Sequence, residues 1–142
     1  MRGAPPHRVV IDPNVFVSAT ITPTGALGPI LTLIDDGVIV PVVTQHLVDE
    51  VVDVLGRPKL AKYVKPGAGA AFEDQMRRLG EWHADIAAPP AVTRDPKDDY
   101  LVALALGASA EAITSGDDDL HAAENLGVDV LTPRELLTRL GL

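Results

Sequence analysis

Residues 95–119 read DPKDDYLVALALGASAEAITSGDDD, and this stretch contains a complete helix followed by a strand. Asp95 before Pro96 is the pattern of an N-cap and the first position of a helix. Residues 101–106 are apolar around the whole circumference of that helix, which indicates that it is buried. The short run at 112–114 predicts a strand, and a group of aspartates follows it at once. The stretch therefore predicts a buried helix–strand unit with acids at the carboxyl end of the strand.

The rest of the chain continues this alternation of strand and helix. Short apolar runs predict further strands at 8–11, 38–43, 84–88 and 128–131. Helical spacing, caps and glycines predict helices at 28–34, 45–55, 59–64, 70–82, 96–106, 120–126 and 133–140, and proline and glycine predict a loop before the first of them. Short apolar strands are typical of a parallel sheet that is covered on both faces. The prediction is a single domain over 1–142 with an α/β fold, a three-layer α/β/α sandwich around a central parallel sheet of four to five strands.

Composition and charge exclude several classes of protein. The chain has 142 residues, a formal net charge of -8 and no cysteine, so disulfides and thiolate metal sites are excluded. Residues 1–8 lack the apolar stretch of a secretory signal, and prolines and glycines interrupt the longest uncharged run, so we expect a cytoplasmic protein without a membrane span. Residues 57–97 hold eight basic residues and five acids, which indicates either solvated helix faces or a contact for a polyanion. The P-loop and dinucleotide-binding signatures are absent.

Acidic residues recur at positions that the predicted fold brings to one edge of the sheet. Asp12 ends the first strand, Asp117 follows the fourth, and Glu50 borders the apolar stripe of a helix. Asp98 and Asp99 both occupy the first turn of the buried helix, and helical spacing leaves open which of them faces this edge. Each acid has an ordinary alternative as a turn, a cap or a solvated charge. Because parallel sheets bind ligands at this edge and Mg²⁺ or Mn²⁺ prefers oxygen ligands, the convergence of four acids predicts a divalent-metal site.

Five segments carry a resemblance to a known family and extend over nearly the whole chain. They are VVIDPNVFVS at 9–18, Glu50 with VLGRPKL at 54–60, DPKDDYLVALA at 95–105, ITSGDDDL at 113–120 and VLTPRELL at 130–137. In this order and at this spacing they resemble a PIN-domain ribonuclease, and within that group the VapC-like toxin component of a type II toxin–antitoxin system.

The resemblance implies which residues form the site. It assigns the catalytic, metal-binding carboxylates as an acidic quartet, namely Asp12, Glu50, Asp99 and Asp117. The family pattern Asp-x-x-x-Ala, here Asp99 with Ala103, selects Asp99 over Asp98. Asp119 is a fifth metal ligand in this assignment, and Asn14 and Ser115 are polar residues that support the carboxylates.

The resemblance also implies an activity and partners. The implied protein is an Mg²⁺- or Mn²⁺-dependent endoribonuclease that hydrolyses RNA phosphodiester bonds. The residues expected to contact the RNA are basic, namely Arg57, Lys59, Lys62, Lys65, Arg77 and Arg78. A cognate antitoxin protein and a homodimer are the implied partners. Phe72, Met76 and Leu79 offer a dimer contact, with a place in the core as the alternative. The alternative function is a PIN-fold module that binds RNA or a partner with little or no nuclease activity.

Overall fold

The computed structural model describes residues 5–142. The expectation for residues 1–8 therefore falls partly on residues 1–4, which lie outside the described part. The strands are β1 (His7–Ile11), β2 (Ile39–Val43), β3 (Glu81–Trp82), β4 (Ala112–Thr114) and β5 (Asp129–Leu131). The helices are α1 (Pro13–Ile21), α2 (Gly28–Asp35), α3 (Gln45–Leu55), α4 (Ala68–Leu79), α5 (Pro96–Ala108), α6 (Asp118–Ala122) and α7 (Pro133–Arg139), with a 3₁₀ turn at Pro58–Leu60.

The five strands form one parallel sheet in the order β3-β2-β1-β4-β5. Helices α1 to α4 pack among themselves and on β2, whereas α5 packs on β1, β2 and β4. The predicted α/β fold with a central parallel sheet is thus confirmed. From β1 the sheet grows through β2 to β3 on one side and through β4 to β5 on the other. The carboxyl ends of β1 and β4 therefore flank the point where the strand order reverses, which is where open parallel sheets bind ligands.

Apolar side chains from the central strands and both groups of helices form the core. Val9 and Ile113, on the two central strands, are fully buried. Phe16 of α1 and Phe72 of α4 meet edge to face, with ring centroids 4.9 Å apart. Phe72 and Met76 are buried, so these two candidates for a dimer contact belong to the core, whereas Leu79 is half-buried against it.

The predicted loop after β1 is wrong, because residues 13–21 form helix α1. Asp12 is its N-cap, and its side chain accepts a hydrogen bond from the backbone N–H of Asn14. Pro13 stands at the first helical position, where a missing N–H costs nothing. The proline that looks like a helix breaker in the sequence is therefore part of a helix start.

Three elements between β2 and α5 also differ from the prediction. Residues 84–88 are not a strand, and the edge strand is the short β3, which pairs with Val42 and Val43. The predicted helix to residue 82 ends at Leu79, because Trp82 belongs to β3 and its indole N–H donates to the Met76 carbonyl instead. Of the predicted helix at 59–64, only the 3₁₀ turn forms, and turns follow it.

Among the described residues, no helix combines the length and the apolar composition that a membrane crossing requires.

Candidate active site

Ser115 joins the carboxyl ends of the two central strands. The backbone N–H of Asp12, directly after β1, donates to the Thr114 carbonyl at the end of β4, over 3.0 Å. The buried Ser115 hydroxyl donates to Asp12 Oδ2 over 2.8 Å and accepts from the backbone N–H of Asp117 over 2.9 Å. Asp12 and Asp117 are thereby held beside each other at the switch point. Ser115 thus contacts both of these residues directly.

Three carboxylates meet above this junction. One oxygen from each of Asp95, Asp98 and Asp117 lies within 4.8 Å of the other two. Asp98 is only 3% exposed, and its Oδ2 has no hydrogen-bond partner within residues 5–142. Burial of an unpaired carboxylate oxygen among other acids is costly unless a cation or a proton joins it. The all-oxygen donor set and this unpartnered oxygen fit a hard divalent cation.

The protonation of Asp98 reflects this surrounding. Burial, followed by the negative charges of Asp117, Asp95, Asp12 and Asp119 in that order of importance, raises the pKa of Asp98 to about 6. Near neutral pH most of the Asp98 carboxylate is therefore ionised, but a minor fraction keeps its proton. A bound cation would lower its pKa again by favouring the charged form.

A cavity of about 170 Å³ opens in front of the three carboxylates. Asp12, Asn14 and Glu50 also line it, so the cavity brings together five acids and one lysine, Lys97. Asn14 is exposed at the mouth of the cavity, and Glu50 reaches the wall from α3 without joining the group of three.

A hydrogen-bonded network around Tyr100, which the sequence does not reveal, also borders the cavity. The Tyr100 hydroxyl lies 2.6 Å from the Thr44 hydroxyl and 3.3 Å from Asp85 Oδ1. Asp85 Oδ1 also accepts from the backbone N–H of His46 over 3.0 Å. Burial raises the pKa of Tyr100, so its hydroxyl remains a proton donor at neutral pH. His46 and Tyr100 both line the cavity.

The structure does not bring Asp99 into this group of acids. Asp99 Oδ1 accepts from the backbone N–H groups of Val92 and Thr93, over 2.9 and 2.7 Å, and lies 2.8 Å from the Thr93 hydroxyl. Burial alone would raise the pKa of Asp99, but these three hydrogen bonds lower it below its ordinary value. Adjacent residues on a helix point about 100° apart, so Asp98 faces the cavity while Asp99 faces the preceding loop. The structure therefore places Asp98 among these acids, whereas the resemblance selects Asp99.

Asp95 lies within the acidic group, whereas Asp119 lies outside it. Asp95 caps α5 by accepting from the backbone N–H of Lys97, and it belongs to the group of three as well. The i, i+3 spacing of Asp95 and Asp98 is the sequence signal that points to this pair. Asp119 is exposed on α6, and it does not line the cavity.

Three of the six basic residues between 57 and 78 pair with acids four positions earlier in the chain. Arg57, Arg77 and Arg78 form i, i+4 pairs with Asp53, Glu73 and Asp74, respectively. Arg77 also stacks over the Trp82 ring, 4.8 Å from its centroid. Lys59, Lys62 and Lys65 are exposed. None of these six side chains lines the acidic cavity, whose described lining contains Lys97.

Comparison with known proteins gives the family. A chain from Methanocaldococcus jannaschii, named uncharacterized protein MJ1680, is 30% identical over 145 residues, covering 92% of this chain and 89% of that protein. No solved structure shows a significant match. The family described as "PIN domain" matches residues 8–119, which include β4, all of β1 except its first residue, and all three acids of the group. Domains of this family are generally metal-dependent nucleases. With its central parallel sheet and acidic switch point, the chain belongs to the PIN domain family.

Proposed function

We propose that this protein is a metal-dependent endoribonuclease whose metal site is formed around Asp98. The observation that carries the proposal is the buried Asp98 Oδ2, which has no hydrogen-bond partner in the described part of the chain and lies within a group of three carboxylates. We assign Asp95, Asp98 and Asp117 as the central ligands, with Asp12 and Glu50 as further carboxylates of the same cavity. Asp119 as a fifth metal ligand and Asn14 as a supporting residue stay part of this proposal on the strength of the family resemblance.

A phosphodiester bond resists hydrolysis because its negative charge repels a nucleophile. A bound Mg²⁺ or Mn²⁺ would supply the positive charge that neutralises the phosphate and activates a water molecule. The residues of the chain hold the remaining parts in place. Ser115 fixes the orientation of Asp12 through a buried hydrogen bond, so little reorganisation is needed when the site is loaded. Asp98, whose buried Oδ2 accepts no hydrogen bond from the described residues, is available to bind the cation.

RNA is the proposed substrate, and one basic residue beside the cavity, Lys97, is proposed to contact an RNA phosphate. Lys97 lines the cavity beside the acids, where an ammonium group can meet a substrate phosphate. The basic segment from Arg57 to Arg78 is proposed as a second, weaker contact, since its arginines already pair with acids. The toxin role, a cognate antitoxin, a homodimer and a cytoplasmic location remain part of this proposal on the strength of the family resemblance.

A cleavage assay tests the proposal. The wild-type protein, stripped with EDTA, is incubated with a panel of end-labelled structured RNAs before and after addition of Mg²⁺ or Mn²⁺. We expect cleavage only with metal, and a loss of at least ~100-fold in rate for Asp98→Asn, since the substitution removes a ligand charge. Asp118→Asn is the matched control, because it removes the same charge from the exposed first turn of α6.

The alternative function, a PIN-fold module that binds RNA or a partner without cutting, predicts a different result in the same experiment. Calorimetry would then show Mn²⁺ binding and RNA binding by the wild-type protein, with no cleavage products under any metal. Cleavage that survives EDTA, or equal rates for wild type and Asp98→Asn, would contradict the proposed nuclease.

A further inference from the structure

Asp99 lies next to the proposed metal site but is engaged with the loop that enters α5. It is only 6% exposed, and its Oδ1 is the common acceptor for the N–H groups of Val92 and Thr93. The Thr93 hydroxyl lies within 2.8 Å of the same oxygen. A carboxylate that accepts several charge-assisted hydrogen bonds holds the donating backbone in one arrangement.

Thr93 passes this constraint on to Asp95. The Thr93 hydroxyl oxygen accepts from the backbone N–H of Asp95 over 3.1 Å and lies 2.8 Å from the Asp95 carbonyl oxygen. Asp95 in turn is the residue of the acidic group that precedes the helix, whereas Asp98 is fixed within the first turn of α5. The position of Asp95 therefore depends on the loop, and the loop is held by Asp99.

We propose that Asp99 is a positioning residue that acts through Thr93 to hold Asp95 within reach of the cation bound by Asp98 and Asp117. This inference rests on the proposed metal-dependent function. The two adjacent aspartates then have different roles. Asp98 binds the cation, and Asp99 orients the loop that carries the further ligand Asp95. Groups that orient metal ligands commonly contribute 10- to 100-fold to metal affinity.

Calorimetric titration of Mn²⁺ into the metal-free protein tests the proposal without any substrate. We expect Asp99→Ala to weaken Mn²⁺ binding by about tenfold. Asp99→Asn should stay within about threefold of wild type, because its amide oxygen still accepts from both N–H groups. If Asp99 instead contacted the cation through its charge, Asp99→Ala and Asp99→Asn would weaken Mn²⁺ binding equally.

A second pair of variants tests the link through Thr93 and remains informative if Asp99→Ala fails to fold. Thr93→Val removes the hydroxyl at nearly constant shape, and Thr93→Ser retains it. We expect Thr93→Val to weaken Mn²⁺ binding several-fold and Thr93→Ser to bind as wild type does. Hydrogen exchange in EDTA should show faster exchange of the Asp95 amide in Thr93→Val alone. Equal affinity in both variants would overturn the proposal.

A double-mutant cycle separates positioning from a general loss of structure. Asp95→Asn removes the ligand charge but keeps a good helix cap. If Asp99 acts through Asp95, adding Asp99→Ala to Asp95→Asn causes no further loss of Mn²⁺ affinity, whereas additive losses would overturn the proposal. A wild-type protein that binds no Mn²⁺ would overturn the proposed function and this inference with it. Mn²⁺ binding that is equal in wild type and Asp99→Ala would overturn only the positioning role.

Discussion

Replacing Asp98 by asparagine should stabilise the metal-free protein at neutral pH, although it removes a proposed metal ligand. The carboxylate is buried beside other acids, and its pKa rises from an ordinary 3.8 to about 6. Between these two pH values the folded protein binds a proton that the unfolded chain has lost. The contribution of Asp98 to stability is thus fully present below pH ~4 and is lost as the pH rises through about 6.

The magnitude follows from the size of this pKa shift. A rise of about two pKa units corresponds to ~3 kcal/mol of unfavourable interaction when the carboxylate is ionised at pH 7.5. Solvent in the cavity screens the charge, and the dipole of α5 favours an acid in its first turn by up to ~1 kcal/mol. We therefore expect Asp98→Asn to raise the free energy of unfolding by about 2 kcal/mol, which is ~6–8 °C in midpoint for a chain of this size.

Urea unfolding in EDTA at two pH values provides the measurement. The gain of about 2 kcal/mol at pH 7.5 should shrink to less than ~1 kcal/mol at pH 4, because this pH is close to the unfolded pKa of 3.8 and Asp98 is protonated in the folded protein. Asp99→Asn, one residue away, is the matched control, and we expect it to destabilise the protein at pH 7.5, because hydrogen bonds lower the pKa of Asp99. An unchanged or lowered stability of Asp98→Asn at pH 7.5 would refute the description of the acidic group.

Three further predictions concern the junction, the core and the metal. Ser115→Ala should lower the free energy of unfolding by about 1–3 kcal/mol in urea titrations, since Asp12 Oδ2 loses a donor and the Asp117 N–H loses an acceptor. Phe72→Ala should cost about 3–5 kcal/mol through lost packing on Phe16, with no change of oligomeric state in sedimentation; a change of state would instead indicate an interface. Mn²⁺ at about 100 times its Kd should add ~2.7 kcal/mol of stability at pH 7.5 and clearly less at pH 5, because the acidic group must lose protons to bind it. Equal gains at both pH values would contradict the last prediction.

Local rules predict most of the helix starts in this fold. Thr44 accepts from the Leu47 N–H and starts α3, and Thr132 with Glu135 forms a complete capping box at the start of α7. Both starts are decided within four residues, so the sequence alone is sufficient. Pro13 shows the limit of such rules, because the same residue ends a helix or begins one depending on whether a cap precedes it.

The elements that depend on distant contacts are the ones that the sequence does not predict. β3 has only two residues and exists because Glu81 and Trp82 pair with the edge of β2. Residues 84–88 have an apolar composition similar to that of a strand but find no partner strand. An edge strand is decided by pairing rather than by its own side chains.

The sequence also does not determine whether Asp98 or Asp99 faces the cavity. Helix α5 is apolar on all sides, so its composition does not indicate which side faces the cavity. A pattern of residue types selects Asp99, whereas in the folded protein the loop at 92–93 occupies Asp99 and leaves Asp98 toward the other acids. The same loop brings in Asp95, whose role as a helix cap conceals its place in the group.

The most direct test of the central claim is to locate a bound Mn²⁺ by anomalous diffraction from crystals soaked in Mn²⁺. A metal bound by the acidic group should give a peak about 2.0–2.6 Å from carboxylate oxygens of Asp98 and Asp117, with Asp99 still directed at the Thr93 N–H. A peak coordinated by Asp99, or the absence of any peak at the acidic group in soaked crystals at neutral pH, would contradict the account.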